Sequence, residues 1–211
     1  MHIAYLILLN KCNRLLYYKN TSFIWGKTLT DNNLPLLPIQ DMATRHYALT
    51  PSIAGSYLEA ARVSLDRYHI SPKEFTLEDD KVESIAKVEW DSADNRVKAA
   101  LANADETTCF GAYTLALAAT ELSRGMFAIR RAENKTGADY YIAPIGEDME
   151  DLENCFRLEV SGTSLDKSIV KNRLKQKVEQ TKQGNSNIPA IAAVVGFRAQ
   201  LILLQTVDES S

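Results

Sequence analysis

From Ser52 to His69, "SIAGSYLEAARVSLDRYH" sets Ile53, Tyr57, Ala60, Ala61, Leu65 and Tyr68 at helical intervals, with Glu59, Arg62, Asp66 and Arg67 between them. The spacing predicts an amphipathic helix ended by the "HISP" that follows. Residues 73 to 92 alternate imperfectly and are highly charged, a pattern that fits a short strand or a polar connector. The stretch from Asp105 to Ser123 opens on capping residues and is apolar on nearly every side, so it predicts a helix buried by neighbours on several faces. Three short runs of strand character come next, Met126 to Arg131, Asp139 to Ala143 and Phe156 to Ser161. A strongly basic helix follows in "DKSIVKNRLKQKVEQTKQG", with Val170, Leu174 and Val178 as its apolar stripe and Gly184 at its close. "IPAIAAVVGF" and "AQLILLQTV" read as two buried strands joined near Gly196 to Arg198. The order from residue 105 is helix, three strands, helix, two strands, which predicts an α+β fold with one mixed central sheet flanked by helices.

A chain of 211 residues suits one domain. Residues 1–41 differ from the rest: they are rich in Leu, Asn and Lys and carry "NNLPLLP", a segment hostile to regular structure. They are expected to form a poorly structured leader, as an over-extended start would, ahead of a single domain over 42–211 with its core at 105–207. The apolar run from Ile3 to Leu9 has no cationic segment before it and falls far short of the roughly 20 residues of a membrane span, so no membrane partner is expected. A formal charge of -3 supplies no global attraction to nucleic acid, and any such contact requires a local basic patch. The three cysteines, Cys12, Cys109 and Cys155, have no CxxC spacing, which argues against a disulfide framework or a zinc knuckle and for a reducing cytoplasm. No GxGxxG or GxxxxGK[ST] is present, and the three histidines, His2, His46 and His69, offer little to a nucleophile–histidine arrangement.

The candidate chemistry lies in "TGADYYIAP" and "RLEVSGT". Asp139 stands at the mouth of one strand and Glu159 interrupts the next, where Val, Ile or Thr would serve a sheet better. Strand alternation sends Leu158 and Val160 to one face and Arg157, Glu159 and Ser161 to the other. If Asp139 lies alongside, two carboxylates converge on a hard cation such as Mg2+, with Glu121 of the apolar helix as a third oxygen donor. The competing reading is two solvated strand faces with no ligand. The acidic "GEDMEDLEN" between the strands lacks the pattern of a calcium loop and fits a charged hairpin connection.

This order of elements, with an acid entering its second strand and another inside its third, resembles the core of the PD-(D/E)XK nuclease superfamily, the restriction-endonuclease-like fold. The local text, with its GxDYxI and RLEVSG motifs and "KNRLKQKVEQ", is also similar to a family of short uncharacterised bacterial proteins. The resemblance spans residues 105–207. It implies that Asp139 and Glu159 are the catalytic, metal-binding acids, although the lysine expected two residues after the second acid is here Ser161. Lys171 or Lys175 of the basic helix would then stand in as the catalytic cation. The implied function is that of a Mg2+-dependent phosphodiesterase acting on nucleic acid, DNA or RNA. The alternative is a catalytically inactive nuclease-fold module, binding or regulatory, that pairs with a protein partner in a bacterial defence or toxin-antitoxin setting. Either reading accommodates a homodimer.

Overall fold

The computed structural model describes residues 34–133, 136–146, 152, 154–183 and 186–207. Its helices are α1 (Pro51–Asp66), α2 (Asn95–Ala100), α3 (Ala104–Arg124) and α4 (Lys167–Lys182). Its strands are β1 (Lys73–Asp79), β2 (Val82–Val88), β3 (Met126–Arg131), β4 (Tyr140–Pro144), β5 (Phe156–Thr163), β6 (Ala190–Gly196) and β7 (Leu201–Val207). The expected order of helix, three strands, helix and two strands is present from α3 onward, in an α+β fold with one seven-stranded mixed sheet. Among the described residues no helix is long and apolar enough to cross a membrane.

The sheet runs β2-β1-β7-β6-β5-β4-β3. Strands β3, β4 and β5 form an antiparallel meander, and α4 then carries the chain over the sheet so that β6 pairs parallel to β5. Strand β6 is buried at every position, and its "AIAAVVG" is correspondingly apolar throughout rather than alternating. Helix α3 lies on one face with Leu115 and Ala116 in the same cluster as Leu158, Val160 and Ile191. Helix α4 covers the other face, where Val170 packs with Val194, Leu201 and Leu203, and Val178 with Ala190, Ala192 and Val207. Each fully buried Val, Leu or Ile among them contributes about 1.5–3 kcal/mol. The α3 contact is set by Gly162, because a side chain there would run into the Thr108 carbonyl oxygen and the Ala112 methyl.

Two parts of the fold exceed the sequence expectation. Residues 73–88 form a hairpin, β1–β2, and α2 follows it. The turn at Asp80 and Lys81 places both residues at positive φ (44° and 73°) without a glycine, a conformation that suits a two-residue hairpin but that side chains other than Asn and Asp resist. Asp80 fixes it from outside: its carboxylate accepts hydrogen bonds from the Thr206 amide at 2.7 Å and the Thr206 hydroxyl at 2.6 Å. The compact unit also begins at Pro35, ahead of the Met42 boundary expected from composition. Leu37 donates its amide to the Lys87 carbonyl at 2.8 Å, and both Leu37 and Ile39 are buried in the main core. The prolines of "NNLPLLP" therefore bound a short edge segment beside β2 rather than a tether. The rest of the expected leader, residues 1–33, and most of the acidic loop, 147–151 and 153, lie outside the described residues.

Candidate active site where strand β4 leaves strand β5

Tyr140 pairs with Leu158 in the β4–β5 ladder, so the next position outward sets Asp139 opposite Glu159. The Asp139 amide still donates to the Leu158 carbonyl at 2.8 Å, but β4 goes no further, while β5 runs on to Thr163. The Val160 amide on that side consequently has no strand partner. Asp139 supplies one: its Oδ2 accepts from the Val160 N–H at 2.9 Å. Its Oδ1 accepts from the Tyr113 hydroxyl at 2.7 Å and from Arg131 Nη2 at 3.3 Å. The first acid is thus held by α3, the edge strand β3 and the open flank of β5 together.

Glu159 is held from the other face. With Leu158, Val160 and Gly162 turned to α3, the alternation along β5 turns Glu159 and Ser161 to α4. There Lys177 Nζ donates to Glu159 Oε1 at 2.7 Å. Arg173, one turn earlier on the helix, donates to the Gly162 carbonyl at 2.7 Å and stands 3.5 Å from the Ser161 hydroxyl. Arg157, the remaining residue of this face, is buried and donates to the carbonyls of Ile188 and Thr136, so it ties loops together instead of lining an opening.

Burial pushes the Glu159 carboxyl above the usual carboxylate range; the Lys177 hydrogen bond pulls it down and the charge of Asp139 adds to the rise. The two acids therefore feel each other as like charges in a partly desolvated place. Tyr113 is pushed up by burial and by Asp139, which keeps it a neutral hydrogen-bond donor. Tyr140 is likewise raised by burial and by its bond to Tyr57, whose hydroxyl lies 2.9 Å away. Over these rings lies Arg131, its guanidinium carbon 5.0 Å from the Tyr113 centroid and 4.5 Å from that of Tyr140.

The structure sets Asp139 opposite Glu159 in strand register, Asp139 bonded from the α3 side and Glu159 from the α4 side, and places the other three residues selected from the sequence elsewhere. Glu121 lies eight residues beyond Tyr113 on α3, about 12 Å along the axis at 1.5 Å per residue. Its carboxylate is taken by Arg45 at 2.7 Å and by the fully buried His46 at 3.1 Å. Packing α3 on the sheet was a sound expectation; the direction in which the helix runs leaves Tyr113, not Glu121, beside the acids. Lys171 reaches toward Glu78 of β1 at 4.0 Å, and Lys175 is exposed. They flank the Val170, Leu174, Val178 stripe on one side, whereas Arg173 and Lys177 flank it on the side facing β5. Both pairs share the four-residue spacing, so spacing alone does not choose between the two flanks. Tyr113 and Arg131 carried no signal, since an aromatic in an apolar helix reads as core.

Among the described residues no group of three or more His, Cys, Asp or Glu side chains is placed to hold a metal. The carboxylate oxygens at the junction are those of Asp139, both of which accept hydrogen bonds, and of Glu159, whose Oε1 accepts from Lys177. Compared with protein-family models, with curated protein sequences and with solved structures, the chain finds no match.

Proposed function

We propose that the chain is a metal-dependent phosphodiesterase of the PD-(D/E)XK type acting on nucleic acid. The observation that carries this reading is the placement of Asp139 opposite Glu159 where β4 and β5 part, with Lys177 on Glu159. The order of elements around it, α3, the β3–β4–β5 meander, the α4 crossover and β6, agrees with the restriction-endonuclease-like core. In this reading Asp139 and Glu159 would hold a Mg2+ ion, which when bound supplies an activated water and neutralises charge on a phosphodiester. The chain's own residues do the rest. Tyr113 and the Val160 amide orient Asp139, and Lys177 orients Glu159 and stands where it can meet phosphate charge, in place of the lysine absent at Ser161. Arg173 and Arg131 add positive charge on either side, the local basic environment that an acidic protein needs to approach a polyanion.

A cleavage screen over single-stranded and duplex DNA and RNA, with Mg2+ or Mn2+ titrated in, tests this reading. Wild type should cut in a metal-dependent way, and Lys177→Met should lower the rate about 10²–10³-fold, as loss of one transition-state charge contact does. Lys171→Gln and Lys175→Gln should leave it within about twofold. No cleavage of any substrate would remove the enzyme reading in favour of a nuclease-fold binding module, for which Ser161 is the favouring observation.

A further inference from the structure

The inference below rests on the nuclease reading and narrows its substrate. A continuous run of rings leads from the protein surface to Asp139. Phe110 on α3 is 37% exposed and stacks on Tyr57 of α1, with centroids 6.1 Å apart and planes at 24°. Tyr57 stacks on Tyr113 at 4.9 Å and 27°. Tyr113 meets Tyr140 edge-on at 5.8 Å, and the Arg131 guanidinium covers both. The inner end of the run is the Tyr113 hydroxyl on Asp139. Packing two helices accounts for Tyr57 and Tyr113, which are part-buried; it does not account for the exposed outer ring of Phe110 or for a half-exposed arginine over the inner rings.

We propose that this run is a stacking platform for single-stranded nucleic acid, with a base laid on Phe110 and the backbone passing Arg131 toward Asp139. Two features select this occupant. A base has the flat apolar face that a stacked aromatic surface takes, and every base has one, so the platform binds without reading sequence. The cation at the inner end, Arg131 beside Asp139, matches the phosphate that accompanies each base. Duplex DNA keeps its base faces stacked inside and offers the rings nothing beyond its phosphates.

The test is fluorescence anisotropy of a labelled 15-nucleotide oligodeoxythymidine and of a blunt duplex of equal length, in low salt without divalent ions. Wild type should prefer the single strand. Phe110→Leu, an exposed apolar replacement with an unchanged melting curve, should weaken single-strand binding about five- to tenfold and leave duplex binding as it was. Arg131→Gln should lower the salt slope of single-strand binding by about one. Equal affinity of wild type for strand and duplex, or Phe110→Leu binding within twofold of wild type, would overturn the platform. Metal-dependent cleavage with no effect of Phe110→Leu on binding defeats the platform and spares the nuclease reading. Ring-dependent binding without cleavage does the reverse.

Discussion

Two pairs of acids occupy this sheet, and they are treated in opposite ways. At the β1–β2 turn, Asp79 and Asp80 are met by Arg124 and by Thr206, and the Asp80 carboxyl ends below its ordinary value: burial raises it, but the bonds from Thr206 and Arg124 outweigh burial. At the β4–β5 junction, Asp139 and Glu159 are also bonded, yet the Glu159 carboxyl ends above its ordinary value because burial and the neighbouring acid prevail over Lys177. The first pair is a clamp whose charges lower the energy of the fold. In the second, burial and the charge of Asp139 act on Glu159 against the Lys177 bond, and in the reading proposed above a cation would complete the arrangement. The two carboxyls that differ, Asp80 and Glu159, are thus moved in opposite directions by their surroundings.

The largest way to break the comparison is to remove what the clamp stands on. A chain starting at Met42 lacks Leu37 and Ile39, which lie beside β2, and should lose about 3–6 kcal/mol by urea denaturation relative to one starting at Pro35. Equal stability of the two would mean that the Pro35–Ile39 segment is dispensable. Next comes activity. Asp139→Asn or Glu159→Gln should lower metal-dependent cleavage at least about 10²-fold, while Asp80→Asn should leave it near wild type; a matching loss in all three would erase the distinction. Stability should show the mirror image. Asp80→Ala removes the bonds to Thr206 and leaves a positive φ at an alanine, so it should cost about 2 kcal/mol. Glu159→Gln should hold or raise the melting temperature at pH 7, as it relieves the like charges.

The smallest effect is in the acid limb of the stability curve. Asp80 has a lowered carboxyl in the folded state, so the stability it contributes is present above the unfolded value of about 4 and is lost as pH falls below it. Glu159 has a raised one, so the folded state takes up its proton first and gains stability as pH falls through that raised value. Asp80→Asn should make acid unfolding shallower and Glu159→Gln should make it steeper, as followed by circular dichroism.

How much of this was legible follows from the range of the interactions. Helices α1, α3 and α4 and strands β3 to β7 announce themselves in apolar periodicity, because each buries one face or all of itself against neighbours. The β1–β2 hairpin does not, because its Asp80–Lys81 turn lacks the Asn-Gly signature and is held by Thr206, 126 positions away. That Asp139 and Glu159 stand opposite each other on adjacent strands was legible from strand period and order; that one is bonded from the α3 side and the other from the α4 side was not. Its supporting shell was not: Tyr113 and Arg131 come from other elements, and which flank of α4 faces β5 depends on how the helix settles on the sheet, a tertiary choice that put Lys177 rather than Lys171 or Lys175 beside Glu159. Glu121 shows the same limit, since a helix known to cover the sheet still has two ends.

The central claim is that the β4–β5 pair, and not the β1–β2 pair, is the place for a divalent ion. Calorimetric titration of Mn2+ measures it most directly. Wild type and the Asp79→Asn/Asp80→Asn variant should show the same saturable binding, and the Asp139→Asn/Glu159→Gln variant should show none. Saturable binding that survives in Asp139→Asn/Glu159→Gln, or a wild type that binds no Mn2+, would contradict the account.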